Sequence, residues 1–261
     1  MKSSSAQGLL LDVFNLQERD RIVCFLTAEY GKKRGVARGA RTKYSRFAGQ
    51  LQPLSKVAVT WFEKEGRDLV RISDVELIRP ASALQADLEG ILLGSYLAEH
   101  MMEFAQENED SATSFRLLDA TLEALLAGCD RNLAARYFEV WVLRLNGIFP
   151  TPRECPLCGQ AFEDRAVLLE SEAALVCPKC AQGHRGLSVG PAEMEFLWRS
   201  ARENLSAMSE RPFAPSCLKE IETLCARIRR QFLQSELKSY RVMKQTLTSV
   251  PSPGAASVNG A

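Results

Sequence analysis

Four cysteines are spaced for metal chemistry: Cys155-Pro-Leu-Cys158-Gly159 and Cys177-Pro-Lys-Cys180, with eighteen residues between Cys158 and Cys177. A CxxC knuckle turns its two sulfurs toward one point, and two knuckles at this separation are the pattern of a structural zinc site. Four thiolates complete the tetrahedron of one Zn²⁺ and leave no position for water or substrate. The metal is therefore expected to staple the fold, and the second pair argues against a redox dithiol at the first. Gly159 is expected to relieve the turn after the first knuckle; Ala181 stands where glycine would be commoner. Ala166–Glu170 and Ala174–Cys177 read as a hairpin between the knuckles, which makes a zinc ribbon. His184 is expected to face solvent, and Arg153, Lys179 and Arg185 are placed to offset the thiolate charge.

A second group could bind a polyanion. Between Tyr30 and Phe62 there are eight cations, Lys32, Lys33, Arg34, Arg38, Arg41, Lys43, Arg46 and Lys56, and no acid. The first seven read as one basic loop, in which small residues would let the backbone approach phosphates while Thr42 and Ser45 add hydrogen-bond donors. Tyr30, Tyr44, Phe47 and Trp61 could stack on unpaired bases, although each is more often barrel core. Between Pro80 and Phe115 the balance reverses, with seven acids and no Lys or Arg. Glu99, Glu103 and Glu107 recur at four-residue spacing and read as one acidic helical face, solvated or partner-facing. The net charge of +1 hides this asymmetry.

Other chemistry is not supported. The chain contains no GxxxxGK[ST] and no HExxH, and only His100 and His184 could serve a histidine-dependent site. A non-enzymatic protein is expected. The alternatives are a zinc-ribbon module for RNA or transcription and, more remotely, a metal-dependent nuclease built on the acidic helix.

The elements that would position these residues fall into an α+β order. Residues 1–80 read as a small β-barrel of OB-fold type, with strands at Gly8–Phe14, Arg21–Thr27, around Val57–Trp61 and from Val70. The period-2 phase slips at Ser73-Asp74 before Val75 and Leu77, which predicts a bulge. Residues 81–152 read as helical: Leu84, Leu88, Ile91 and Leu92 mark a first stripe, Phe115 to Cys129 a second, and Leu133 to Ile148 a third. Residues 153–187 are the four-cysteine ribbon. Helix resumes over 188–248, with Pro191 at a first helical position and a long stripe Leu218, Ile221, Cys225, Ile228 and Phe232. Residues 249–261 are rich in Pro, Ser, Gly and Ala and are expected to be disordered.

Bulk properties fit a cytoplasmic protein. Charged residues make up 25% and hydrophobic residues 46% of the chain, no apolar run approaches the length of a membrane span, and no signal-peptide core follows the N-terminus. Cys24, Cys129, Cys217 and Cys225 sit among apolar neighbours and read as free core thiols in a reducing compartment.

The residues now reach a family. Glu18-Arg19-Asp20-Arg21-Ile22-Val23, Tyr30-Gly31-Lys32, Gly35-Val36-Ala37-Arg38-Gly39-Ala40-Arg41, Gly49-Gln50-Leu51-Gln52-Pro53, and Gly147-Ile148-Phe149-Pro150 before the first knuckle resemble the RecO family. The resemblance is dense over 8–80 and 145–187 and looser through the helices. It implies an N-terminal OB-fold, a helical domain with a zinc ribbon, and binding of single- and double-stranded DNA. It also implies annealing of complementary strands and loading of RecA onto coated strands with RecR. The acidic C-terminal tail of the single-stranded DNA-binding protein is a further implied partner, expected in a pocket near Arg116, Arg131, Arg136 or Arg144. Nucleoid association when active follows from the same resemblance.

Overall fold

The computed structural model describes residues 2–107, 109–170 and 174–249. Its first five strands are β1 (Lys2–Leu16), β2 (Asp20–Thr27), β3 (Gly31–Ala37), β4 (Lys56–Glu63) and β5 (Val70–Arg79), and they close into a barrel in the order β1-β2-β3-β5-β4. β1 is longer than its apolar run predicts, because its first half pairs with β4 and its second half with β2. Closure comes from a parallel pairing of β3 with β5, Gly35 to Val70 through Ala37 to Ile72. Gly35 permits that approach: a Cβ there would lie 2.7 Å from Ile72 and 2.8 Å from Val70.

Leu9-Leu10-Leu11 and Val23-Cys24-Phe25-Leu26 are buried continuously, whereas a sheet with one wet face would alternate. Both faces are covered here. Leu10, Val23 and Phe25 fill the barrel with Phe47, Val59 and Trp61. Leu9, Leu11, Cys24 and Leu26 point outward into a second core shared with the helices. The predicted slip on β5 is a bulge at Ser73, since Thr60 pairs with Asp74 but Trp61 with Ile72. A second irregularity skips Ile78 near the end of β5, where Leu77 is 37% exposed.

Three helices follow: α1 (Leu88–Phe104), α2 (Ala112–Leu126) and α3 (Arg131–Leu145). The stripe predicted for α1 is half right: Leu84 and Leu92 are buried, Leu88 and Ile91 are not. The helix begins after Asp87, whose carboxylate caps Gly90 N–H at 2.8 Å, so Leu84 precedes it and Leu88 and Ile91 are about half exposed. The buried face carries Leu92, Leu93, Tyr96, Leu97, His100, Met101 and Phe104. Glu107 lies beyond the helix, bridging β3 at Gly31 and Lys32, so the three glutamates do not share a helical face. Glu99 instead accepts the N–H groups of Lys238 at 3.0 Å and Ser239 at 2.7 Å.

The ribbon sheet is β6 (Ala166–Leu169), β7 (Leu175–Val176) and β8 (Gly186–Val189), in the antiparallel order β7-β6-β8. The third strand, with the short apolar content Gly-Leu-Ser-Val, went unread in the sequence. Helices α4 (Pro191–Ser200), α5 (Leu205–Glu210), α6 (Pro215–Leu233) and α7 (Lys238–Ser249) complete the chain. Pro191 opens α4 after Gly190 as expected. Phe232, predicted to end the core stripe of α6, is 56% exposed and stacks on Phe104 at 5.8 Å. Apart from Ser249, which closes α7, the tail expected to be disordered lies outside the described residues.

Ion pairs fasten the barrel to α2. Lys56 and Arg79 converge on Asp119 at 2.7 and 2.6 Å, and Arg79 also reaches Glu123 at 2.5 Å. Among the described residues no helix is long and apolar enough to cross a membrane.

Candidate functional site

Cys155, Cys158, Cys177 and Cys180 come together, their sulfurs all within 4.8 Å of one another. Each knuckle is a tight turn: Gly159 N–H donates to Cys155 carbonyl at 2.8 Å, and Ala181 N–H to Cys177 carbonyl at 3.0 Å. Gly159 takes the left-handed conformation (φ +70°) that a side chain would strain; the second knuckle defers this to Gly183 (φ +81°), which is how Ala181 is tolerated. His184 is exposed and outside the cluster.

The thiols have unequal acidities. Burial pushes the Cys155 thiol up, but backbone hydrogen bonds from Cys177, Leu157 and Cys158 outweigh it and hold the thiol at about 6. Hydrogen bonds with Cys177 and Cys158 push Cys180 up to about 12. One sulfur ionises readily and another resists, held protonated chiefly by hydrogen bonds with its neighbours and, less, by the charge of Cys155. A divalent cation at the centre would remove that resistance, so the donor set fits a metal ion held by four sulfurs.

The basic segment is split by the fold. Lys32, Lys33 and Arg34 lie on β3 and not in a loop. Lys33 is 9% exposed and pairs with Glu63 at 2.7 Å, Arg34 stands 3.5 Å from Glu107, and Lys32 donates its ammonium to the Met102 carbonyl. Lys33 thus ties β3 to β4 within the barrel, while Lys32, Arg34 and Lys56 attach the barrel to its surroundings. Arg38, Arg41, Lys43 and Arg46 differ: all four are exposed on the β3–β4 connection, and no carboxylate pairs with them among the described residues. Arg41 is steadied by the Gln17 carbonyl at 2.7 Å. The connection is anchored from beneath by Phe47 and Leu51, both in the barrel core. Of the aromatics, Trp61 and Phe47 are buried, and Tyr30 packs edge-on to Trp61 at 5.2 Å. Only Tyr44 among these four is exposed, at 89%, with the Lys43 ammonium 5.6 Å from its ring centre.

Two cations were missed. Arg67 and Arg71 line, with Arg38, a groove of about 490 Å³ that also bears Asp20 and Asp68. They sit about thirty residues downstream among acids, so no charge run marks them. The signal lies in the parallel pairing, which sets Val36 opposite Arg71. The pocket arginines also need correction. Arg131 is bound to Asp87 at 2.7 Å, and Arg136 is buried against Glu139 at 2.9 Å and Glu222 at 3.0 Å, so neither awaits an acidic partner.

Residues 1–81 match the family model for the recombination protein O N terminus, and residues 85–241 match that for its C terminus. The chain belongs to the RecO family. It is 34% identical over 222 residues to the DNA repair protein RecO of Anaeromyxobacter dehalogenans strain 2CP-1, covering 84% of this chain and 87% of that one. Against the DNA repair protein RecO of Geobacter metallireducens it is 30% identical over 247 residues, 94% of this chain and 98% of that one. As a RecO-family DNA repair protein, the chain combines a mixed α+β architecture, strands first and helices after, with four cysteines positioned to hold a metal ion.

Proposed function

We propose that this RecO-family chain is a non-enzymatic, cytoplasmic DNA-binding mediator of repair and recombination. Its barrel is an OB-fold, its ribbon (153–187) is stapled by one Zn²⁺ on Cys155, Cys158, Cys177 and Cys180, and the helices on either side, 81–152 and 188–248, form its helical part. The observation that carries DNA binding is the exposed set Arg38, Arg41, Lys43 and Arg46, none paired with a carboxylate among the described residues, beside the exposed ring of Tyr44, on a connection anchored by Phe47 and Leu51. Phosphates dock on the cations, while a ring face accepts any base, which suits sequence-independent binding of single strands and duplex. Lys32, Lys33 and Arg34 support the strand beneath this surface and do not themselves form it.

Annealing follows from charge. Two complementary strands repel through their phosphates, and a cationic surface lowers that repulsion while leaving base edges free to pair. Neither a nucleotide nor metal turnover is required. Four sulfurs would complete a zinc coordination sphere, so the ion contributes folding free energy and no chemistry. RecR, the acidic tail of the single-stranded DNA-binding protein and, through them, RecA are the partners this family role calls for.

The deciding experiment is annealing of two labelled complementary strands by the full chain, without ATP. Acceleration by the wild type and its loss when Arg38, Arg41, Lys43 and Arg46 are all replaced by alanine is the expected result. Normal annealing by that variant, or a requirement for ATP, would refute it.

A further inference from the structure

Strand β3 meets β5 only from Gly35 to Ala37, so the edge of its Gly31–Arg34 half is left for another segment. The chain that follows α1 covers it. Lys32 N–H donates to the Gln106 carbonyl at 2.9 Å, Glu107 bridges Gly31 and Lys32, and Ser111 N–H donates to the Ala28 carbonyl at 2.9 Å. Gly31 seats this strap. It takes the left-handed conformation (φ +64°), and a Cβ there would lie 2.7 Å from the Gln106 carbonyl oxygen. All of these contacts are made by backbone, so they account for the strap but not for the carboxylate it carries at 107.

Successive side chains of a strand alternate between its faces. Lys32, Arg34 and Val36 therefore share the outer face of β3; the first two stand opposite Leu26 and Cys24, which also point outward. Arg38 follows them in the chain, and Arg71 stands opposite Val36. The groove of Arg38, Arg67 and Arg71 adjoins a second, of about 510 Å³, that holds Lys32 and Arg34. Arg67 lines both, and in the second the cations outnumber the acids. A cationic track thus runs from Arg38 past Arg67 to Arg34, where Glu107 stands 3.5 Å away. Glu103 adds charge nearby: burial pulls the Lys32 ammonium below the ordinary lysine range, opposed by Glu107 and then by Glu103.

We propose, resting on the DNA reading of the barrel, that Glu107 is a built-in competitor for phosphate: it withholds Arg34 from nucleic acid, which makes Arg34 a latent DNA contact. The donor fork of a guanidinium fits a carboxylate and a phosphate alike, so the two anions exclude each other at Arg34. As a fastener the pair is weak. Both side chains are 46% exposed, where an ion pair adds little to stability, and the barrel is already joined to the helices through Leu9, Leu11, Cys24 and Leu26. Lys32 is held separately by the Met102 carbonyl, so removing the Glu107 charge releases one cation. Withholding that contact loosens the grip on DNA, which suits a protein that must let go once two strands have paired.

The test is fluorescence anisotropy of a labelled dT oligonucleotide with full-length wild type, E107Q, R34A and R34A/E107Q across a salt series. One more neutralised phosphate steepens the slope of log K against log salt by about 0.7, so E107Q should bind about fivefold tighter at 0.1 M salt. R34A should stay within twofold of wild type, and R34A/E107Q should lose the gain. Melting of E107Q should match wild type, because the backbone contacts of the strap remain. E107Q within twofold of wild type would overturn the proposal. So would an equal gain with and without Arg34, which marks a general effect of charge, or a clear loss in R34A, which shows Arg34 already on DNA. The variant lacking Arg38, Arg41, Lys43 and Arg46 separates the two readings. If it binds as wild type does, the DNA reading fails and takes this one with it; if it loses affinity while E107Q gains none, only the competitor role falls.

Discussion

Replacing Arg38 and Lys43 with alanine should change how single-strand binding responds to salt, by an amount set by the number of unpaired cations. Each phosphate neutralised on a single strand contributes about −0.7 to the slope of log K against log salt. The four free cations of the β3–β4 connection therefore supply a slope of about −3, and the double variant should lose about 1.4 of it. At 0.1 M salt each lost contact costs about 0.7 decade, so two weaken binding about 25-fold, or about 2 kcal/mol. The control is Lys33→Met. Lys33 is buried against Glu63 at 2.7 Å, so this change should lower stability yet leave the slope within error of the wild type. Anisotropy of a labelled dT oligonucleotide between about 50 and 300 mM salt reads both quantities in the range where such slopes are measured. A double variant that keeps the wild-type slope, or a Lys33 variant that flattens it, would refute the division into structural and DNA-facing cations.

Cys155→Ser should abolish stoichiometric metal content and lower stability by about 3 kcal/mol or more, because metal binding at such sites is folding free energy; elemental analysis beside calorimetry checks this, and metal loss without a change in melting defeats the structural role. Burial depresses the His100 imidazole to about 3. The unfolded chain therefore takes up a proton near pH 6.5 that the folded chain refuses, and stability should fall as pH drops from 6.5 toward 3, by about 3 kcal/mol at pH 4. Denaturant titrations should show a flatter dependence over that window for His100→Leu. The Arg131 hydrogen bond holds Asp87 down at about 2; its stabilisation is present above the ordinary carboxylate range and is lost as pH falls from about 4 to 2, so Asp87→Asn should flatten melting curves there. Residues 1–80 expressed alone should aggregate, because Leu9, Leu11, Cys24 and Leu26 would lose the helices that cover them; a dispersed, soluble amide spectrum would contradict that.

What could be read in advance depended on whether the determinant was local. The knuckles are local: two short spacings and a glycine specify where four sulfurs point, and the fold brings those sulfurs together. The Ser73 bulge was legible for the same reason, as a break in a period of two. The roles of Lys32, Lys33 and Arg34 were not legible, because partners at Met102, Glu63 and Glu107 are distant in sequence and nothing in a basic run foretells them. The error on α1 has the same origin. Leu88 and Ile91 match a helical period, but the covered side of a helix is decided by its neighbours, and here Leu92, Leu93 and Tyr96 face them. Outward burial of Leu9 and Cys24 could have been suspected from the missing alternation, which signals a sheet covered on both faces.

Two cores divide the labour. The interior of the barrel, with Phe25, Phe47, Val59 and Trp61, is a cluster of its own. The larger core runs from the outer face of β1 and β2 through α1 and α3 to α6, and on into the ribbon at Leu168, Val176 and Cys177. The β3–β4 connection proposed to face DNA is anchored by Phe47 and Leu51 in the first core, whereas Cys155 and Cys177 belong to the second. Loss of metal should therefore loosen the ribbon and the helices before it disturbs the β3–β4 connection. Oligonucleotide affinity should outlast the stability of the helices during chelation. A chelator titration that removes oligonucleotide binding and helical signal at the same point would show that the two cores do not act separately.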